Sequence, residues 1–276
     1  MSLRLGIGSF TYPWAIGVPG YPPARPLTAS GLLERAAELG VGVVQFCDNL
    51  ALDRLPAPKL AELTHTAARL GIAIEVGTRG VDRDLLLRYL DLAGQLGSPI
   101  VRTVTDTTNH QPDDDELVAA LRAVTPAYRR AGVTLAVENH GRHASARLIE
   151  LLERVGSPAV GVCLDTGNSL GALERPEETV ALLAPWTVNL HVKDFTIGRL
   201  SHMFGYQITG CPAGAGLLDI PAIVDRMRAA GRHLSVIVEL WPPPAERLAD
   251  TIAREERWAE ESVGYLGSCL AFTSPT

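Results

Sequence analysis

Cysteine is scarce in this chain of 276 residues, and the four present, Cys47, Cys163, Cys211 and Cys269, stand far apart with no C-x-x-C pair. A chain this long needs no disulfide staples, so the thiols are expected to be reduced, in the cytoplasm. Long apolar runs are missing too. No stretch approaches the twenty residues of a membrane span, and the opening MSLRLGIGSF has neither an apolar core nor a small-residue cleavage site. The expectation is a soluble protein without an export signal. Positive charge is in deficit: the formal net charge of −6 gives no global attraction to nucleic acid or to an anionic membrane. No linker or low-complexity tract divides the chain, and no G-x-G-x-x-G phosphate loop follows the first strand-like run.

What is present alternates. Apolar, β-branched runs of strand length occur at Leu5 to Ser9, Val43 to Cys47, Ile72 to Val76, Ile100 to Val104, Thr134 to Glu138, Val160 to Asp165, Thr187 to His191 and Ser235 to Glu239. Between them lie segments such as SGLLERAAELG and ARLIELLERVG, apolar at every third or fourth position and closed by glycine, which read as helices. Eight such units, each about 30 to 40 residues long, favour a single-domain (β/α)8 TIM barrel spanning residues 1–276 over a doubly wound open sheet. The Pro/Gly-rich stretches Gly17 to Pro26 and Gly210 to Gly216 follow strands, where barrel enzymes carry their active-site loops.

Four of the strand-like runs stop on a residue able to bind a cation: Glu138, Asp165, His191 and Glu239. Neighbouring parallel strands lie about 4.8 Å apart, so these ends converge on one sector of the barrel mouth. Buried carboxylates are costly unless paired or coordinated. Three carboxylates and one imidazole form a hard donor set suited to Mn²⁺ or Mg²⁺, with Co²⁺ or Zn²⁺ admitted on raw affinity.

The runs VENHG (Val137 to Gly141), CLDTGN (Cys163 to Asn168), HVKDF (His191 to Phe195) and VELW (Val238 to Trp241) resemble the xylose isomerase-like TIM-barrel superfamily of sugar isomerases and epimerases. PAGAGLLDI (Pro212 to Ile220) is similar to the glycine-rich loop of that family. The resemblance implies that Glu138, Asp165, His191 and Glu239 bind a divalent metal. It further implies that Glu138 and Glu239 are the catalytic pair, one removing and one returning the proton of an enediolate reaction on a small ketose or sugar acid. Many epimerases of the family have a histidine three residues after the aspartate; this chain has Asn168, which can hydrogen-bond a hydroxyl but cannot become a cation.

Cations cluster around the mouth despite the acidic balance: Arg102 inside the fourth strand, and Arg79, His140, Arg142, His143, Lys193, Arg199 and His202 after strands. They point to an anionic substrate group, unless they pair with acids such as Glu75, Asp82 or Asp194. Arg102, His140, Lys193, Arg199 and His202 join Asn168 as candidate substrate contacts. Aromatics make up only 5% of the chain, so Trp14 after the first strand and Trp241 after the eighth stand out as candidate pocket walls. Cys163 reads as barrel packing. The cationic mouth and Asn168 keep a second enzyme class open, a decarboxylase or dehydratase of a 3-oxo-sugar acid. DNA-repair endonucleases of this barrel need more histidine ligands than these strand ends supply. A sugar-binding or structural barrel would need neither the metal nor two glutamates. Apolar residues in Ser262 to Thr276 are expected either to meet a partner copy or to close the barrel bottom.

Overall fold

The computed structural model describes residues 3–231 and 233–271. The chain runs β1 (Leu3–Gly8), α1 (Pro13–Ile16), α2 (Ala29–Glu38), β2 (Val43–Phe46), α3 (Ala57–Leu70), β3 (Ala73–Arg79), α4 (Arg83–Leu96), β4 (Ile100–Val104) and α5 (Asp114–Ala131). It continues with β5 (Thr134–Glu138), α6 (Ser145–Val155), β6 (Val160–Asp165), α7 (Pro176–Leu183), β7 (Thr187–Val192), β8 (Phe195–Arg199), β9 (Tyr206–Gly210), α8 (Ile220–Ala229), β10 (Leu234–Val238) and α9 (Leu248–Ala271). Eight strands close into a barrel in the order β1-β10-β7-β6-β5-β4-β3-β2, all neighbours parallel. This is the (β/α)8 barrel expected from the alternation.

The sequence dictates the helix ends locally. Asp82, Asp113 and Asp219 accept the backbone N–H three residues on, at 2.9, 2.9 and 3.1 Å, and so start α4, α5 and α8. Asp82 is therefore a cap, not the ion-pair partner weighed above. Helix α4 stops where Gly97 turns to φ 68°, a conformation that costs a residue with a side chain more.

Along each strand, side chains alternate between two environments. Val44, Val76, Leu135, Val137, Leu164, Leu190, Val192 and Val236 belong to the apolar core between barrel and helices. The barrel interior instead holds buried polar groups, among them Gln45, Glu75, Arg102, Asn189 and Ser235. Helix contacts thus hold the shell, and hydrogen bonds fill the inside.

Two features depart from the expected outline. An antiparallel hairpin, β8–β9, is inserted between β7 and β10, with Phe195 opposite Gly210 and Arg199 opposite Tyr206. The apolar stretch from Ser262 to Ala271 is not a tail beyond the last helix but its continuation: Val263 and Leu266 are buried in the core shared with the barrel. The rest of that stretch, residues 272–276, lies outside the described residues.

Helix α9 also fixes the first loop. Glu255 accepts the N–H groups of Trp14 and Ala15 through its two oxygens, each at 2.9 Å. Burial pushes its carboxyl up to about 8, over the opposing pull of those amides. The folded chain therefore keeps a proton that the unfolded chain releases near 4.5. This carboxyl's share of stability is complete below that pH and is lost as the pH rises through about 8. Urea unfolding midpoints are expected to fall more steeply with rising pH in the wild type than in Glu255→Gln; equal slopes would remove Glu255 from the explanation.

Candidate metal centre and active-site cleft

The ends of β5, β6, β7 and β10 bring the four expected ligands together. Register sets Asp165 beside His191 and Glu138 beside Cys163, and Glu239 N–H donates to Val192 O at 3.0 Å just past the end of β10. His191 Nδ1 lies 3.0 Å from Glu239 Oε1 and 3.5 Å from Glu138 Oε2. Ligand atoms from Asp165, His191 and Glu239 all fall within 4.8 Å of one another, as do those from Glu138, Cys163 and His191. The structure thus forms two triads that share the imidazole. Cys163, read from sequence as packing, enters one of them: its Sγ is 3.3 Å from His191 Nε2. Burial pushes that thiol well above its ordinary value and keeps it protonated.

Cations balance this acid cluster. Arg102, 2% exposed, donates through Nε to Glu138 Oε2 and through Nη1 to Asp48 Oδ1 at 3.0 Å and Thr78 O at 3.2 Å. Arg79 holds the other Asp48 oxygen at 3.1 Å. Lys193 Nζ stands 2.8 Å from both Asp165 Oδ2 and Glu239 Oε2. Asn168 Nδ2 donates to Glu138 Oε1 at 2.9 Å. Asp165 Oδ1 accepts the backbone N–H groups of Gly167 and Asn168 at 2.7 and 2.9 Å, and Asn139 clamps the Asp165 backbone through its side-chain amide.

These contacts set the charge states. Burial disfavours charge on Glu239, yet the Lys193 ammonium and the His191 imidazole outweigh it and hold the carboxyl well below its usual range. Glu138 is held down in the same way against burial, by Arg102 and then His191. Asp165 is pushed up by burial, with Lys193 pulling the other way. Burial opposes charge on Lys193 as well, but Asp165 and Glu239 keep it protonated far above neutrality.

A cavity of about 520 Å³ opens onto Lys193, Glu239 and Asn168. Phe10, Trp14, Trp241 and Pro242 form an apolar wall, and Gln207 and Thr209 of β9 supply polar groups. Trp14 and Trp241 are each fixed by an indole hydrogen bond of 3.0 Å, to Pro242 O and Asp194 O. The remaining candidates are placed elsewhere. Arg102 is sealed beneath Glu138 and does not line the cavity, and neither does the half-buried His140. Arg199 and His202 ride outward on the hairpin, where Arg199 stacks on Tyr206 at 4.9 Å and His202 on Phe204 at 6.4 Å. The strand β8 that carries Arg199 is exposed beyond Phe195, and neither Arg199 nor His202 lines the cavity that its partner β9 helps to form.

The donor set fits a divalent cation on an observation of its own. Asp165 Oδ2 and His191 Nδ1 are buried and face the space bounded by Glu239, with the Lys193 ammonium 2.8 Å from Asp165 Oδ2 and Glu239 Oε1 3.0 Å from His191 Nδ1. Buried carboxylate oxygens and an imidazole nitrogen gathered this closely suit a cation, which offsets the cost of burying them together. Asp194, the residue after Lys193 in the HVKDF run, is not at the centre. Its carboxylate accepts Gly214, Gly216 and Leu218 N–H at 2.9, 3.0 and 3.2 Å and so ties down the glycine-rich loop. A Cβ at Gly216 would sit 2.1 Å from Asp194 Oδ1, which is why that loop has glycine there.

Residues 33–269 match the family described as Xylose isomerase-like TIM barrel. A 3-oxo-isoapionate decarboxylase of Pectobacterium atrosepticum is 36% identical over 266 residues, covering 96% of this chain and 95% of that protein. Among solved structures, a xylose isomerase-like TIM barrel protein from Mycobacterium smegmatis in complex with magnesium superposes with a TM-score of 0.71. It is 18% identical and covers 98% of each chain. A D-psicose 3-epimerase determined in the presence of D-fructose gives a TM-score of 0.73 at 15% identity, over 98% of this chain and all of that one. Both structural likenesses are likenesses of fold.

Saturating Mn²⁺, at a hundredfold excess over its Kd, is expected to stabilise the wild-type protein by about 2.7 kcal/mol, and Glu239→Gln is expected to lose most of that gain. An equal thermal shift in both proteins would contradict the ligand set.

Proposed function

The chain belongs to the Xylose isomerase-like TIM barrel family, and on that footing we propose that it is a divalent-metal-dependent lyase that decarboxylates a small 3-oxo-sugar acid. One observation carries the reading. The two glutamates that would serve as an acid–base pair are both held as stabilised anions, Glu138 by Arg102 and Asn168, Glu239 by Lys193 and His191. A general base works best with a pKa near the operating pH, and carboxylates pulled below their ordinary range are weak bases for a C–H bond. A 3-oxo acid needs no such base. Its C1–C2 bond breaks, the electron pair moves into the C2–C3 bond as negative charge passes to the 3-oxo oxygen, and CO₂ leaves. A proton from solvent then returns to C2.

The residues present suit those demands. Asp165, His191 and Glu239, with Glu138 beside them, would hold Mn²⁺ or Mg²⁺, which when bound supplies Lewis-acid stabilisation of oxyanion charge. Lys193 brings a fixed positive charge to the cavity wall, kept protonated by Asp165 and Glu239. Phe10, Trp14 and Trp241 lower the dielectric around it and so strengthen its pull on a substrate anion. Asn168 and Gln207 offer neutral hydrogen bonds to hydroxyls. The long match to the Pectobacterium decarboxylase supports the same class.

Incubation with 3-oxo-isoapionate and other 3-oxo-sugar acids in D₂O, followed by NMR, is expected to release one equivalent of CO₂ and leave one deuteron on the product. Lys193→Met should lower kcat/KM by about 10²–10³-fold, the usual loss when one charge-stabilising donor is removed. Deuterium entering a ketose with all its carbons retained, without CO₂ release, would instead establish an isomerase or epimerase.

A further inference from the structure

Below the metal centre, the barrel interior contains a chain of hydrogen bonds that ends on His191. Gln45 of β2 is its hinge. Gln45 Nε2 donates to Glu75 Oε2 and to Asn189 Oδ1, both at 3.0 Å, and its Oε1 lies 2.7 Å from His191 Nε2. Asn189 is itself fixed, because its Nδ2 donates to Ser235 Oγ at 2.6 Å and reaches Glu75 Oε2 at 3.4 Å. All five residues are buried.

The orientation of each amide follows from its acceptors. Turning Gln45 over would set its oxygen against Glu75 Oε2 and Asn189 Oδ1, two acceptors, and its NH₂ against His191. With Oε1 toward the imidazole, the nitrogen facing it has to carry the proton. The other neighbour of that nitrogen, Cys163 Sγ, directs its own hydrogen to Asn189 Oδ1 at 3.1 Å. His191 Nδ1 is thereby turned toward Glu239 Oε1 at 3.0 Å and Glu138 Oε2 at 3.5 Å, the two carboxylates with which it would share a cation.

We propose that Gln45 is a positioning residue for His191: locked by Glu75 and Asn189, it holds the proton on Nε2 and presents Nδ1 to a divalent cation. This rests on the reading of His191 as a metal ligand. Groups that hold the far nitrogen of a ligating histidine set its orientation and basicity, and their loss weakens metal binding about 10–100-fold. Burial pushes the Glu75 carboxyl up, and hydrogen bonds from Ser235 and Gln45 pull it the other way.

The test is Mn²⁺ affinity, measured on the full chain by water-proton relaxation. Gln45→Met keeps the length of the side chain but removes the acceptor, and is expected to weaken binding about 10–100-fold. The exchange Gln45→Glu with Glu75→Gln returns an acceptor toward Nε2 and keeps a donor between the two side chains, and should recover most of the affinity, which a purely space-filling role would not require. Wild-type affinity in Gln45→Met, with binding lost in His191→Ala, would overturn the role of Gln45 and leave the ligand reading standing. Wild-type affinity in His191→Ala would overturn both. A measurement on the unaltered protein does not depend on how the variants fold. Nitrogen-15 spectra of the Mg²⁺-loaded chain should show His191 protonated at Nε2 alone, and a proton on Nδ1 would overturn the proposal.

Discussion

Compensation of buried charge at the carboxyl end of the barrel is the constraint on which the rest of the site depends. Glu138, Asp165, Glu239 and Asp48 bring four carboxylates together, and Arg79, Arg102 and Lys193 supply three fixed cations. One negative charge remains. A protonated His191 can meet it, and against the cost of burial Glu239 and Glu138 do push the imidazole toward that form. A divalent cation would more than meet it, drawing on the ligand atoms of Asp165, His191 and Glu239 that lie within 4.8 Å of one another. The same compensation bears on the chemistry: carboxylates stabilised as anions are poor bases and good ligands, and an ammonium held between two of them stays charged.

The fold serves this arrangement through the two faces of its strands. Outward residues such as Val137, Leu164 and Leu190 pack against the helices, while the positions between them bring Glu138, Cys163, Asp165, Asn189 and His191 into the interior. Polar groups inside a barrel have to be satisfied one by one, and Gln45, Glu75, Asn189 and Ser235 do so as a connected set. Rigidity is thereby concentrated under the imidazole. The walls of the cleft come from loops pinned at a distance, by Glu255 under Trp14 and by Asp194 beneath the glycine-rich loop.

Much of this was legible in the sequence, for a definite reason. Glu138, Asp165, His191 and Glu239 end apolar runs whose length and β-branching mark buried strands, so their order along the chain already fixes their neighbours in space. Lys193, Asn168, Trp14 and Trp241 lie within a few residues of those ends and line the cavity. Gln45 and Asn189 were not legible. Each sits inside a strand with ordinary neighbours, and its meaning comes from partners up to 146 residues away. Asp48 was hidden likewise, since only folding brings it to Arg102. The hairpin escaped because FTIGR and YQITG are short and largely exposed.

The central claim is a single divalent-cation centre built on His191 Nδ1, and anomalous diffraction from Mn²⁺-soaked crystals tests it most directly. The expected result is one strong peak bounded by Asp165, His191 Nδ1 and Glu239, with the Lys193 ammonium displaced from between the two carboxylates. No peak there at saturating Mn²⁺, or a peak on the Nε2 side of His191 beside Cys163, would contradict it.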